Sequence, residues 1–256
     1  MIKMDPDLVT ELVKKNKRFN EREFDEYREI QVETGAVPLA EGSARVKIGD
    51  TEVVVGVKME FGEPFDDKPD EGVLMVSAEF VPLAYEEFES GPPGKESVEV
   101  ARVVDRAIRE SKAIDTKKLC VEEGEKVWMV SVDIDVMNHD GNLIDASALA
   151  AMAALKEAKI PDLDEDGKPI YEEKGEKSLS LTKTPMSITF AKIGDKIMVD
   201  PIDLEERAMD SRLTVGVYEG GICSLQKGGP GGFTKEEFLE ILDRAEKQAE
   251  TLREKI

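Results

Sequence analysis

Single-residue alternation of apolar and polar side chains dominates the chain, and four stretches switch to a spacing of three and four, so the pattern predicts runs of strands separated by helices. Leu8, Val9, Leu12 and Val13 give an amphipathic helix over 5–16, ended by the basic stretch 14–22. Strands are predicted at 29–33, 42–48, 51–61 and 73–80, with Gly49-Asp50 joining the middle two as a hairpin. Acid-rich 61–72 and 86–95, around Gly91-Pro92-Pro93-Gly94, read as exposed loops. Over 96–111, Val100, Val103, Val104, Ala107 and Ile108 share one side of a helix while Arg102, Arg106 and Arg109 share the other. A strand at 126–137 holds the single tryptophan, Trp128, and an Ala-rich helix at 142–158 has side chains small enough for close packing. A polar excursion at 161–175 precedes strands at 187–193, 196–199, 212–218 and 222–226. The last helix, 235–254, starts with Thr234 as N-cap, Glu237 completing a capping box, and Phe233 and Phe238 at the staple positions.

Strands followed by a helix thus occur twice, and each half carries Lys-Ile-Gly-Asp in a tight turn, at 47–50 and 192–195. Turn chemistry alone favours Gly and Asp, so the repeat fits either an internal duplication or two independent hairpins. The order predicts an α+β fold of two similar sheet-plus-helix halves, mixed sheets packed against helices. Residues 1–27 form the N-terminal helix and basic connector, 28–160 the first half, and 161–256 the polar loop and second half.

Charge narrows the function classes. Asp and Glu number 56 against 35 Lys and Arg, a net charge of −21, so the average surface repels polyanions. That argues against an autonomous nucleic-acid binder but leaves room for one basic patch, and a Lys- and Glu-rich surface is also what a thermophilic or archaeal protein carries. No run of about 18 apolar residues exists, so neither a membrane span nor a signal peptide is visible and the chain reads as cytoplasmic. Cys120 and Cys223 lack the spacing of a zinc or redox pair and read as buried thiols. Gly228-Gly229-Pro230-Gly231-Gly232 lacks the Lys that follows in a phosphate-binding loop, and His139, the only histidine, reads as a structural imidazole at a strand end.

Five stretches carry a more specific signal: 22–28 (Arg-Glu-Phe-Asp-Glu-Tyr-Arg), 42–51 (Gly-Ser-Ala-Arg-Val-Lys-Ile-Gly-Asp-Thr), 92–111, 138–142 (Asn-His-Asp-Gly-Asn) and 200–212. Together they resemble the RNase PH family from about residue 18 to the C-terminus, and within it the non-catalytic RNase PH-type subunit of the archaeal exosome. The resemblance implies the RNase PH-type fold and the family's chemistry, in which inorganic phosphate attacks the 3′-terminal phosphodiester of RNA and releases a nucleoside diphosphate. Such a site must hold phosphate, stabilise developing charge and supply an acid.

Each requirement is degenerate here by that comparison. Active relatives carry a hydroxyl residue followed by Arg, or a second hydroxyl residue, just after Asp-Gly; this chain has Leu143 and Ile144, which donate no hydrogen bond, and Asp145, whose charge repels phosphate from the first helical turn. Two aspartates six apart become Leu204 and Asp210, with Asp200, Asp203, Glu205 and Glu206 nearby for a shifted frame. The arginines ahead of the helix near residue 96 are replaced by a segment whose only cation is Lys95. Arg102, Arg106 and Arg109 remain as RNA-binding candidates, or pair with Glu99, Asp105 and Glu110.

The resemblance therefore implies a subunit with no catalytic residue, cofactor or metal. Its implied partners are a catalytic RNase PH-type sister, three such heterodimers closing a hexameric ring, RNA-binding cap subunits, and single-stranded RNA. The competing readings are a phosphorolytic 3′–5′ exoribonuclease active by itself, with displaced acids, and a small-molecule binding protein that keeps only the fold.

Overall fold

Helix α1 (Pro6–Lys14) leads into strands β1 (Ile30–Thr34), β2 (Gly42–Ile48), β3 (Thr51–Gly62) and β4 (Val73–Phe80) in a computed structural model that describes residues 6–171 and 174–256. Asp5, the first residue of the predicted helix, lies outside the described residues. Helix α2 (Lys95–Ser111) follows, then a short 3-10 turn (Thr116–Leu119), β5 (Cys120–Glu122) and β6 (Lys126–Asn138). One sheet has the order β1-β2-β3-β6-β4, with β5 paired to β6, and is antiparallel except where β4 runs parallel to β6. Along β3, Thr51, Val53, Val55, Val57 and Met59 are buried and the intervening positions are not, which is the alternation a sheet with one covered face requires.

That cover is helix α3 (Leu143–Glu157), buried at every position from Leu143 to Leu155 because it lies against both sheets. Its alanines let a strand approach closely: a Cβ on Gly42 of β2 would overlap the Ala154 carbonyl oxygen of α3 and lie 2.6 Å from the Cα of Ala158, just past the helix end. Strands β7 (Lys159–Ile160) and β8 (Lys177–Ser178) pair at the base of the predicted polar loop.

The second sheet, β10 (Lys196–Val199), β9 (Met186–Ile193), β11 (Ser211–Tyr218) and β12 (Gly221–Gly228), is wholly antiparallel, with helix α4 (Asp203–Ala208) inserted before β11. Helix α5 (Lys235–Arg253) packs on β9 and β11, and α2 spans β4 of the first sheet and β12 of the second. Thr234 accepts the Glu237 N–H at 3.2 Å and Glu237 accepts the Thr234 N–H at 2.7 Å, the expected capping box. One apolar cluster joins residues of both halves, and a smaller one unites Val9 and Val13 of α1 with Ala191, Ile193 and Met198.

Both Lys-Ile-Gly-Asp segments form hairpins, with Gly49 and Gly194 at φ of +58° and +61°. The cysteines depart from expectation: both thiols are half-buried, Cys120 on a three-residue edge strand and Cys223 on edge strand β12, since an edge lacks the second neighbour that completes burial. No helix among the described residues is long and apolar enough to cross a membrane.

Candidate functional site

The segment between α1 and β1 is a strap of cations lying across the seam between the halves. Arg18 is 2% exposed and spends its guanidinium on Glu205 at 2.9 and 2.6 Å and on the carbonyls of Val199 and Asp200 at 3.0 and 2.8 Å. Arg22 and Arg28 both donate to the Asp200 carboxylate, at 2.8 to 2.9 Å. Burial works against ionisation of Asp200, but the hydrogen bonds and charges of Arg28, with Arg22, prevail and hold it below the usual carboxylate range. Asp200 itself sits at φ +47°, so its carbonyl and carboxylate can both turn toward the strap.

Behind that ion cluster lies Asp145. It accepts the Tyr27 hydroxyl at 2.7 Å, the Thr189 N–H and hydroxyl at 3.0 and 2.7 Å, and the Asn142 amide at 3.0 Å. Burial pushes its carboxyl up to about 6, opposed by those four donors. Asp145 therefore ties the strap, α3 and β9 together from inside. The expected repulsion of a phosphate at the helix start is corrected: the side chain points into the seam, where backbone and hydroxyl donors satisfy it, and does not line the cavity in front of α3.

That cavity, about 1010 Å³, opens between β4, the loop before α2, the start of α3, and α4. Leu143 and Ile144 form part of its wall, so the positions compared with a phosphate site do face it, bearing side chains without donors. Lys95 stands at its rim. Seven carboxylates line it against Lys95, Arg207 and Arg212. Two of those cations are committed: Arg207 to Asp203 at 2.9 Å and Glu87 at 3.1 Å, and Arg212 to Glu99 at 2.6 Å. Lys95 is the one cation of the wall without an ion pair among the described residues, and the net field opposes an anion.

The remaining predicted residues lie elsewhere. Leu204 packs against the cluster around α1 rather than toward the cavity, because helix α4 turns that face to Val9 and Val13. Asp210 accepts the Gly194 N–H at 2.7 Å, pinning the second Lys-Ile-Gly-Asp turn, and its carbonyl accepts the Gly231 N–H at 2.8 Å. Arg109 pairs with Asp105 at 2.6 Å and donates to the Leu74 carbonyl at 3.0 Å, whereas Glu99 is taken by Arg212 and Gln226. Arg102 and Arg106 form no ion pair among the described residues, and neither lines the cavity.

Sequence reasoning missed Tyr85, Phe88 and Arg207, and it did not bring His139, read as a structural imidazole, or Glu206, a shifted-frame acid, together with them on one wall. His139 packs edge-on to Tyr85 at 4.6 Å and stacks on Phe88 at 5.6 Å, and burial first, with Arg207 and Arg28, holds its imidazole below the ordinary histidine range despite Asp203. Arg207 lies 5.6 Å over the Tyr85 ring and donates to its hydroxyl. Glu206 accepts the Asn142 N–H at 2.9 Å, and burial pushes its carboxyl up to about 7. A spacing of three from Asp203 to Glu206 on a helix would have placed both on one face.

Comparisons with known proteins agree along nearly the whole chain. The model of the 3′ exoribonuclease family matches residues 26–161 with its domain 1 and 183–248 with its domain 2. Exosome complex component Rrp42 of Methanocella arvoryzae is 49% identical over 255 residues, 98% of this chain and 94% of that protein. The Thermococcus gammatolerans protein of the same name is 47% identical over 96% of this chain and 92% of its own. Among solved structures, a chain of the Archaeoglobus fulgidus exosome with RNA bound to the active site superposes with a TM-score of 0.91 at 46% identity, covering 98% of this chain and 96% of that one. A chain of an archaeal exosome core gives 0.86 at 43%, covering 98% and 95%.

Proposed function

The chain belongs to the 3′ exoribonuclease (RNase PH) family, and on that premise we propose that it is a non-catalytic subunit of an RNA exosome ring. It structures the active site of a catalytic RNase PH-type sister and helps grip single-stranded RNA during 3′-to-5′ degradation. Three such heterodimers close the hexameric ring, and RNA-binding cap subunits sit on one face.

One observation carries the absence of catalysis: the cavity at the head of α3 has two aliphatic side chains where phosphate donors are needed and a single uncommitted cation, Lys95, among seven carboxylates. Phosphate held there would have Lys95 as its one uncommitted charge-assisted partner against seven carboxylates, and the transition state would gain no more. Asp203 and Glu206 face the cavity, yet acids alone supply only one of the three requirements.

RNA contact falls to cations free to offer it. Arg102 and Arg106 fit that role, with Lys95, while Arg109 has its guanidinium spent on Asp105 and Leu74. The decisive experiment purifies this chain, its sister and the pair, and follows phosphate-dependent release of nucleoside diphosphates from RNA. Activity of the pair is expected, with none from this chain alone; release by the isolated chain overturns the proposal.

A further inference from the structure

We propose that the groove between β12 and α5, on the far side of the second sheet from the seam, receives an extended acidic segment of a partner protein, added to β12 as a further strand.

Side-chain parity places the groove. Thr214 of β11 turns to Thr189 at the seam and Gln226 of β12 to Glu99 of α2, so Leu213, Val215 and Val217 turn to the opposite face, where α5 packs. Cross-strand register puts Lys227, Leu225 and Ile222 on that same face. Helix α5 covers β9 and β11, and beyond it Leu225 stays 42% exposed and Ile222 37%. Leu213, Leu225, Phe233 and Phe238 line a groove of about 490 Å³ there, and Leu239, 51% exposed, follows Phe238 on α5. Apolar side chains scattered singly over a surface need no explanation, but a contiguous group that shapes a concavity marks a contact surface.

Two further features fix the chemistry of the occupant. Strand β12 ends its sheet, and among the described residues its outer edge forms no backbone hydrogen bond, so a row of N–H and C=O groups faces outward. Another extended backbone answers such a row at every second residue, which favours a peptide over a nucleic acid. The bulge at Cys223 breaks the register at the start of the strand and leaves 224–228 as the straight part.

Charge is the second feature. In a chain of net charge −21, no carboxylate lines this groove, and its cations, Lys227 and Lys235, form no ion pair among the described residues. A lysine on an edge strand by itself only guards the edge against pairing. A second lysine on the facing helix, with an apolar floor between the two, is instead the complement of a segment that carries aliphatic side chains and carboxylates. The groove is also preformed: Phe233 lies under the Lys192 Nζ at 5.7 Å, and the Thr234–Glu237 capping box fixes the turn beside it.

The test is fluorescence anisotropy of a labelled hexapeptide of alternating threonine and valine closed by two aspartates, titrated with the full chain. Saturable binding is expected, weakened roughly tenfold when lysines replace the aspartates, and amide exchange across 224–228 should slow in the bound state. Leu225→Ser should weaken binding roughly tenfold, and Lys227→Glu with Lys235→Glu roughly tenfold at low salt, each with the melting temperature kept. Absence of saturable binding, or binding that leaves those amides unprotected, overturns the proposal. So does displacement of the peptide by single-stranded oligoadenylate, which assigns the lysines to RNA, or by the catalytic sister, which assigns the groove to the ring contact. Self-association of the chain that Leu225→Ser abolishes assigns the groove to a second copy and overturns the proposal as well. None of these outcomes touches the non-catalytic reading, which phosphorolysis by the isolated chain decides.

Discussion

Replacing Arg18 by Met tests whether the strap is held by charge. Methionine fills much of the same narrow space without a charge. The change leaves Glu205, whose side chain has no exposed surface, with the Ile202 N–H but no cation, and strips donors from the carbonyls of Val199 and Asp200. Breaking one side of such a buried pair costs about 3–5 kcal/mol. For 256 residues, about 2.1 cal/mol/K of unfolding entropy each gives about 0.5 kcal/mol/K, so the melting temperature should fall by roughly 6–9 °C. Glu205→Leu alone should cost a similar amount. The two together should be less destabilising than either, because an apolar pair replaces an ionic one without stranding a charge. Calorimetry and urea titration of the four proteins complete the cycle. A loss below about 1 kcal/mol for Arg18→Met, or a double variant that shows the full sum of both losses, would refute the reasoning.

Glu206→Gln should gain stability relative to the natural chain by up to about 3 kcal/mol between pH 4 and pH 8: a carboxyl raised from 4.5 to about 7 by burial stabilises the fold below its unfolded value and loses that contribution as pH climbs through the window, whereas glutamine has no proton to lose. Asp200→Asn should act in the opposite direction. Its carboxyl is held low by Arg28 and Arg22 against the effect of burial, so the deficit of about 3–5 kcal/mol at neutral pH should narrow below about pH 4, where the natural Asp200 also protonates; urea unfolding across pH reads both slopes. Gly141→Ala should cost about 2–5 kcal/mol by urea unfolding, since the residue lies at φ +84° and the added Cβ would stand 2.5 Å from the Ile202 carbonyl carbon and 2.6 Å from the Asp203 N. Arg102→Glu with Arg106→Glu should weaken RNA binding by the assembled ring and reduce its salt dependence, measured by filter binding, while leaving ring assembly unchanged.

Much of the fold was legible because local rules and tertiary packing agreed. The helix at 96–111 and the strand at 126–137 announced themselves by period, and Thr234 with Glu237 named the start of α5. Helix α4 was not, for six residues are too few to establish a period and its acidic composition reads as a solvated loop. The site was legible in part. Leu143 and Ile144 do face the cavity, as their place after Asp140-Gly141 implied. Asp145 misled because adjacency to a helix start says nothing about which way a side chain turns, and here three donors from β9 and the strap, up to 118 residues away in sequence, decide it. The aromatic wall of Tyr85, Phe88 and His139 was invisible for the same reason: no spacing along the chain relates a loop before α2 to the end of β6.

The strap also sets a schedule for folding. Arg18, Arg22 and Arg28 are made early, but the acids they grip lie 187, 178 and 172 residues later. At about 5–20 residues per second, roughly 10–40 s of synthesis separate each cation from its partner. Until Asp200 and Glu205 emerge, Arg18 and Arg22 lack the acids they pair with, and Arg28 has only Asp140 and the Gly141 carbonyl of the first half, so the strap cannot close fully over a half-made protein. Full closure of the strap therefore waits for the second half, and a chain stopped before residue 200 lacks the acids that hold Arg18 and Arg22.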